Sequence, residues 1–224
     1  MSRSFNGSTN YLSASGISIS DTPFTMSVWW KSKGLGSASP VGMCIGESGT
    51  GNNWFLWRLN TNKFMQIEEK DTVAGPGNST QAATNDFSTW HLGVCVFSSH
   101  SSRSVFIDGT GKATVSGART ATGFNMTVVG ANSVPGNLWN GNLAHAAIWN
   151  TDLTDQQVYS LLYLYPNQVA VGNLVNYWPM TGNQSPEPDY GSGNLPLTVT
   201  GATFSTDNPN IAGTLVQTLM GASG

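Results

Sequence analysis

The residues that could perform acid–base or metal chemistry are few and scattered along this sequence. Its one adjacent acidic pair is Glu68-Glu69, and neighbouring residues of a strand point to opposite faces of a sheet. His91, His100 and His145 lie far apart, and neither H-x-x-x-H nor C-x-x-C occurs. The sequence therefore predicts a protein that is not an enzyme.

The aromatic and polar residues of the sequence fit sugar binding better than they fit catalysis. A sugar needs an exposed aromatic ring on which to stack, together with a few polar groups that fix its orientation. The candidate glycan-binding residues are Trp29, Trp54, Trp139, Asn53 and Arg58. The alternative for each tryptophan is a place in the core or in a subunit contact, and the sequence leaves that choice open.

A calcium site is a further candidate, because Ca²⁺ takes about six to eight oxygen ligands that loops can supply. The polar loop residues that could provide them are Glu47 with Asn52 and Asn53, Asp71, Asp86, and the Glu187/Asp189 pair. They match no calcium motif, so no metal ligand is assigned, and no other cofactor is expected.

Composition excludes several other functions. Charged residues are 9% of the 224 residues and the net charge is −3, so no basic surface is expected for nucleic acid. No apolar run is long enough to insert into a membrane. Met1-Ser2-Arg3 leads directly into the first strand, so no signal peptide is expected. Cys44 and Cys95 lie in apolar runs and are expected to be buried thiols.

The elements that must position the candidate residues are mostly strands. Alternating apolar and polar residues from Phe24 to Lys31 predict a strand with Trp29 on its outer face. The same alternation from Trp54 to Leu59 places Trp54 and Arg58 outward. Residues 143–149 are apolar on both faces, which predicts a strand buried between two layers, and residues 72–86 are predicted to form one long loop.

One short helix is predicted near residues 154–164. Thr154 is a good N-cap, and Gln157 three residues later completes a capping box. Leu153 and Val158 can pack together across this cap as a hydrophobic staple. Apolar residues then follow at helical spacing until Pro166 ends the run.

Three stretches resemble laminin-G-like domains of the concanavalin A-like lectin/glucanase superfamily. They are F-N-G-S-T-N-Y at 5–11, V-F-I-D-G at 105–109 and G-N-L-A-H-A-A-I-W-N-T-D-L-T-D-Q-Q-V at 141–158. The resemblance implies an all-β jelly-roll sandwich of two antiparallel sheets over residues 1–204, with the first and last strands paired. The E-x-D-x-x-E motif of glucan-cleaving members is absent.

The late stretches L-V-N-Y-W-P-M, S-P-E-P-D and T-V-T-G-A-T also resemble the ends of such domains in phage structural proteins. This resemblance implies a non-catalytic protein of the virion surface, made in the host cytoplasm, as head decoration or as a fibre or adhesin component. Its partners would be other virion proteins, its own copies or glycans. The alternative is a free carbohydrate-binding lectin module, with or without calcium, and a glycan-active enzyme comes third.

Residues 205–224 are predicted to form a C-terminal tail outside the sandwich. The tail contains a short apolar run at 214–220 that has no obvious place in the core. We therefore expect the tail to contact a neighbouring subunit.

Overall fold

The computed structural model describes residues 1–37, 39–62, 64–72, 77–81 and 87–211. Within these ranges the chain forms fifteen strands and one short α-helix, so the predicted all-β class is confirmed. The elements are β1 (Ser2–Asn6), β2 (Tyr11–Ser15), β3 (Phe24–Ser32), β4 (Val41–Gly46), β5 (Trp54–Leu59), β6 (Met65–Lys70), β7 (Gly77–Gln81), β8 (His91–Ser99), β9 (Ser102–Ile107), β10 (Gly111–Ser116), β11 (Met126–Val129), β12 (Asn140–Trp149), α1 (Asp155–Ser160), β13 (Leu174–Trp178), β14 (Thr198–Thr200) and β15 (Thr203–Ser205).

The strands form two antiparallel sheets that pack face to face. In the described ranges the eight-stranded sheet has the order β10-β9-β8-β3-β12-β1-β15, with β13 also paired to β12, and the seven-stranded sheet has the order β14-β2-β11-β4-β5-β6-β7. β1 pairs with β15, which confirms that the first and last strands are neighbours. The chain crosses from the seven-stranded to the eight-stranded sheet at Gly201 and Ala202, between β14 and β15.

The main core fills the space between the sheets. Phe24, Met26, Val28 and Trp30 of β3 all point into it, as the alternation predicted. Its aromatic rings are in close contact, and the Phe24 and Phe97 rings stack with their centroids 4.5 Å apart. Because alternate residues of each strand point into this core, the other half of each strand faces outward.

A second apolar layer covers the outer face of the eight-stranded sheet, hereafter the covered face. It joins Trp29 of β3 and Trp149 of β12 to Leu153, Val158 and Ile211. β12 is therefore buried on both sides, as its sequence predicted, because it lies between the main core and this layer.

Helix α1 begins where the sequence predicted and ends earlier. The Gln157 N–H donates to Thr154 Oγ1 (3.3 Å), and the Thr154 N–H donates to Gln157 Oε1 (2.9 Å), which completes the capping box. The helix ends at Ser160, whose hydroxyl donates to the Gln156 carbonyl (2.8 Å). The Leu161 N–H then bonds to the Val158 carbonyl (3.2 Å), so the last turn tightens and the helical pattern stops.

Two polar strands were not recognised in the sequence. Part of the predicted loop at 72–86 is strand β7, which pairs with β6, while residues 73–76 and 82–86 lie outside the described residues. β10 pairs with β9 beyond the Asp108-Gly109 turn. No helix in the described ranges has the length and apolar character that crossing a membrane requires.

The first part of the predicted tail belongs to the sandwich. Ser205 ends β15, and Ile211 is only 8% exposed and packs into the covered face. Residues 212–224 lie outside the described residues, so the contact of the tail with a subunit stays a prediction.

Candidate functional site

Two of the three candidate tryptophans are buried. Trp139 has 0% of its surface exposed and lies edge to face against Trp30 and Trp57 in the main core. Trp29 is on the outer face of its sheet, as predicted, but the apolar layer of the covered face leaves it only 7% exposed. Neither ring offers a surface on which a sugar can stack, which corrects the prediction for these two residues.

Asn53 shapes a loop and is also buried. Its backbone has a positive φ of 52°, and its side-chain amide donates to Glu47 Oε2 (2.8 Å). Its Oδ1 accepts from the Thr122 N–H (3.4 Å). Both ends of the amide are therefore occupied by the protein itself, so Asn53 supports the loop before β5 and does not reach a ligand.

Trp54 and Arg58 remain at the surface, and one carboxylate joins them. The two residues are four positions apart on β5, so they share its outer face. The Trp54 Nε1–H donates to Glu68 Oε1 (2.8 Å), and Arg58 Nη2 lies 2.7 Å from Glu68 Oε2. Glu68 is only 1% exposed, so a buried carboxylate side chain on β6 holds both the half-buried indole and the guanidinium in place.

Two further polar residues of β6 complete this surface. Lys70 Nζ lies 4.6 Å from the centroid of the Trp54 ring and donates to the Gly51 carbonyl (2.6 Å). Arg58 Nε donates to Gln66 Oε1 (3.3 Å). Trp54, Arg58, Gln66, Glu68 and Lys70 are hereafter the Trp54 patch.

The centre of the same outer face is covered by the loop between β11 and β12. Ser133 of this loop lies so close to Gly46 that a β-carbon there would be 2.7 Å from its Oγ. Leu138, Trp54 and Tyr11 pack around a small apolar cluster beneath it. Burial raises the pKa of the Cys44 thiol in this cluster to about 12, so the thiol stays protonated and is a poor nucleophile or metal ligand.

The loop carboxylates considered for calcium are engaged in other contacts. Glu47 accepts hydrogen bonds from Thr50 and Asn53, Glu187 forms a buried ion pair with Arg3 (2.8 Å), and Asp189 accepts from four donors in and around its own loop. Within the described ranges, no three His, Cys, Asp or Glu side chains are grouped so that they could hold a metal ion. Asp86 lies outside those ranges, and calcium binding stays a prediction.

Glu68 and Glu69 point to opposite sides of β6, as the sequence predicted. Glu69 is 0% exposed and pairs with Arg103 (2.8 Å) and with His100 Nδ1 (2.6 Å). Because one carboxylate lies under the Trp54 patch and the other between the sheets, they do not face a common substrate.

A pocket beside Asp207 was missed by the sequence analysis. Asp207 Oδ2 is 2.8 Å from Lys31 Nζ and accepts from Asn142 Nδ2 (3.3 Å), while Oδ1 accepts from Trp90 Nε1 (2.8 Å). Lys31, Asn142 and Asp207 line a pocket of about 240 Å³, hereafter the Asp207 pocket. No local pattern could have revealed it, since Lys31 and Asp207 are 176 positions apart and Asp207 had been assigned to the tail.

Solved structures share this fold at low sequence identity. A putative carbohydrate-binding protein from Bacteroides ovatus superposes with a TM-score of 0.67 at 14% identity, over 93% of this chain and 60% of that one. The heptameric SAP-like pentraxin from Limulus polyphemus gives 0.59 at 14%, over 71% of this chain and 80% of that one. The CBM40 of the Ruminococcus gnavus IT-sialidase, bound to α2,3-sialyllactose, gives 0.55 at 13%, over 63% of this chain and 83% of that one.

Sequence comparison identifies the family. No curated protein matches this sequence. A laminin G family model, described as the concanavalin A-like lectin/glucanases superfamily, matches residues 6–159. This range is more than half of the chain and runs from the end of β1 into α1. The chain therefore belongs to the concanavalin A-like lectin/glucanases superfamily, with a lectin-type sandwich.

Proposed function

We propose that this protein is a non-catalytic carbohydrate-binding module whose glycan stacks on Trp54. The Trp54 patch carries the proposal, because it places a half-buried indole beside accessible hydrogen-bonding groups. The apolar face of a sugar ring packs against the indole, and the Arg58 guanidinium and the Gln66 amide bond to its hydroxyl groups. The fold supports this assignment, since a carbohydrate-binding protein and a CBM40 share it.

The geometry of Trp54 is set before any ligand arrives. Its indole N–H is fixed by the buried carboxylate of Glu68, so the ring loses little freedom on binding. The Lys70 ammonium already lies over one face of the ring, 4.6 Å from its centroid. A sugar that stacks on this face displaces Lys70 or uses the ring area beside it, along the outer face of the seven-stranded sheet.

The absence of catalysis is part of the proposal. Glycoside hydrolysis usually needs two carboxyl groups that flank one bond. Glu68 is engaged by Trp54 and Arg58, and Glu69 faces the interior. A glycan on the Trp54 patch therefore lies near Glu68, which is already bonded to Trp54 and Arg58. Glu69, the other carboxylate of β6, is on the opposite side of the strand.

A glycan array on the purified protein, in calcium and again in EDTA, tests the proposal. We expect one class of glycans to bind, and Trp54→Ala to weaken that binding about tenfold or more because stacking is lost. Trp54→Phe keeps a ring and should retain part of the affinity. Tyr190→Ala is the control, since Tyr190 is 64% exposed elsewhere on the surface.

The results of the glycan array test both the Trp54 patch and the calcium prediction. Failure of any glycan to bind in both conditions, or full affinity in Trp54→Ala, would contradict the proposal. Loss of binding in EDTA would place a metal ion at the site and would confirm the calcium prediction. Equal binding in calcium and EDTA would reject that prediction while leaving the Trp54 patch in place.

We also propose that this module is carried on a virion surface, where it contacts other virion proteins or copies of itself. Support comes from the late stretches that resemble phage structural proteins and from a surface with few charges, since charged residues are 9% of the chain. A truncation that removes residues 212–224 keeps Asp207 and Ile211 in the fold and tests the tail alone. We expect it to lose co-sedimentation with purified particles that lack the protein. Unchanged co-sedimentation and unchanged oligomer mass in light scattering would count against a tail contact.

A further inference from the structure

The Asp207 pocket has a fixed wall. Beyond its carboxylate contacts, the Asp207 carbonyl accepts from the Ser2 hydroxyl (2.6 Å), and its N–H donates to Ser205 Oγ (3.2 Å). Burial favours the neutral acid, but hydrogen bonds from Lys31 and Trp90 outweigh it and hold the pKa of Asp207 below its ordinary value. The side chain is therefore an ionised and well-bonded part of the wall.

Asn142 leaves a buried acceptor without a partner at this pocket. The residue is 5% exposed and lines the pocket. Its amide nitrogen must face Asp207, because a carboxylate accepts hydrogen bonds and cannot donate them. Its Oδ1 then has no hydrogen-bond partner in the part of the chain that the structure describes. Buried acceptors are nearly always paired, but this atom has almost no accessible surface, so it is an unsatisfied group inside the pocket wall and is not itself a contact for a ligand.

Lys33 adds a positive charge at the same pocket. Its side chain is exposed, and no ion pair found within the described ranges includes it. Lys31 and Asp207 form an ion pair at 2.8 Å and offset each other. The described side chains that line the pocket therefore carry one net positive charge, that of Lys33. Phe87 adds apolar surface to the lining.

A second polar pocket meets the first at Lys33. It measures about 370 Å³ and is lined by Ser4, Asn6, Asn10, Lys33, Asn140 and Thr203. Amide and hydroxyl groups of this kind can both donate to and accept from sugar hydroxyls. A ligand of more than one unit can therefore lie across Lys33, with one end in each pocket.

We propose that the Asp207 pocket binds an acidic sugar. The carboxylate meets the Lys33 ammonium, hydroxyl groups of the ring meet the polar side chains of the lining, and further sugar units extend into the asparagine-lined pocket. The volume of about 240 Å³ is below the roughly 300–1,000 Å³ of sites for drug-sized ligands, so it suits one sugar ring. Its residues belong mainly to the eight-stranded sheet, whereas the Trp54 patch lies on the seven-stranded sheet, so this site does not depend on the function proposed above.

Titration of the ¹⁵N-labelled full chain, followed by NMR, tests this site with trigalacturonate and with neutral galactotriose. The reporters are the Trp90 indole N–H and the Asn142 side-chain amide, which both bond to Asp207. We expect trigalacturonate to shift both signals and to bind roughly two- to fivefold more tightly than galactotriose, because only the acid can pair with the exposed Lys33 ammonium and exposed ion pairs contribute little.

Three variants sharpen the test. Lys33→Gln keeps most of an exposed side chain and removes its charge, so trigalacturonate affinity should fall roughly two- to fivefold, to the level of galactotriose. Lys112→Gln removes an exposed lysine that pairs with Asp155 and should leave the affinity unchanged. Trp54→Ala should also leave it unchanged, which separates this site from the Trp54 patch.

Several results would overturn the proposal. They are unmoved Trp90 and Asn142 signals with trigalacturonate, equal affinity for the acidic and the neutral trisaccharide, and wild-type affinity in Lys33→Gln. Loss of trigalacturonate binding in Trp54→Ala would also overturn it, because the acid would then be held at the Trp54 patch.

Discussion

Trp29 and Trp54 both lie on the outward side of a strand, yet only Trp54 reaches solvent. Over the eight-stranded sheet, the chain from Leu153 through α1 and again at Ile211 adds an apolar layer that covers Trp29 and Trp149. Over the seven-stranded sheet, the loop between β11 and β12 covers the centre alone and leaves Trp54 at its margin. The exposure of an outward residue therefore depends on distant segments as much as on its own strand.

Replacing one tryptophan on each face should reveal the largest difference between the two faces in their contribution to the free energy of unfolding. Trp149 is 0% exposed, and its Nε1–H donates to the Val169 carbonyl (2.9 Å). Trp149→Ala should lower the free energy of unfolding by about 3–5 kcal/mol, because it opens a cavity in the covered face. Trp54→Ala should cost about 1–2 kcal/mol, chiefly through the lost bond to Glu68.

Urea denaturation followed by circular dichroism measures both losses. Equal losses in the two variants would contradict the distinction between a covered and an open face. The slopes of the transitions should agree with that of the wild type, so that the midpoints can be compared.

A fall in pH should lower the free energy of unfolding because of His145, which is buried beside the covered face. This residue is 7% exposed, and its Nδ1 lies 2.9 Å from the Tyr177 hydroxyl. Burial lowers the pKa of His145 to about 4, whereas an unfolded histidine titrates near pH ~6.5. Between these two values the unfolded chain binds a proton that the folded chain does not. Stability should therefore fall by roughly 3 kcal/mol as the pH drops from 6.5 to 4.

His145→Asn is the matched control for this pH dependence. His145 has a positive φ of 51°, which asparagine tolerates better than most residues, and asparagine does not titrate. Unfolding free energies of both proteins, measured from pH 7 to pH 4, should converge as the pH falls. Parallel curves would show that His145 is not the group responsible.

The smallest expected loss of stability is that caused by removing the N-cap of α1. Thr154→Ala removes the hydroxyl that accepts the Gln157 N–H and should cost about 1 kcal/mol of unfolding free energy. Thr154→Ser keeps an acceptor and should be close to the wild type in the same urea experiment. A loss as large as that of Trp149→Ala would mean that the cap, and not the packing beneath it, secures the covering layer.

Much of the fold could be predicted because it is encoded locally. The alternation in β3, the two apolar faces of β12 and the capping box of α1 each depend on residues within a few positions. β10 escaped notice because its side chains are alternately half-buried and exposed, so they give little hydrophobic contrast. β7 lies in a polar stretch and was hidden for the same lack of apolar residues.

The candidate site could be predicted only in part. Trp54 and Arg58 share a face by strand periodicity alone, whereas their link through Glu68 depends on the register of β5 and β6 across a turn. The sequence left the place of Trp139 open, because its burial depends on contacts with Trp30 and Trp57, which are distant along the chain. The Asp207 pocket needed contacts between β3, β12 and the residues after β15, which no sequence window contains.

The hydrogen bond between Ser2 and Asp207 brings the two ends of the sandwich side by side. A domain with adjacent ends can be spliced into a surface loop of another protein without forcing that loop open. Grafted in this way, the sandwich would present its seven-stranded face as a rigid module. Circular permutation that joins these ends with a short linker should likewise preserve both sheets.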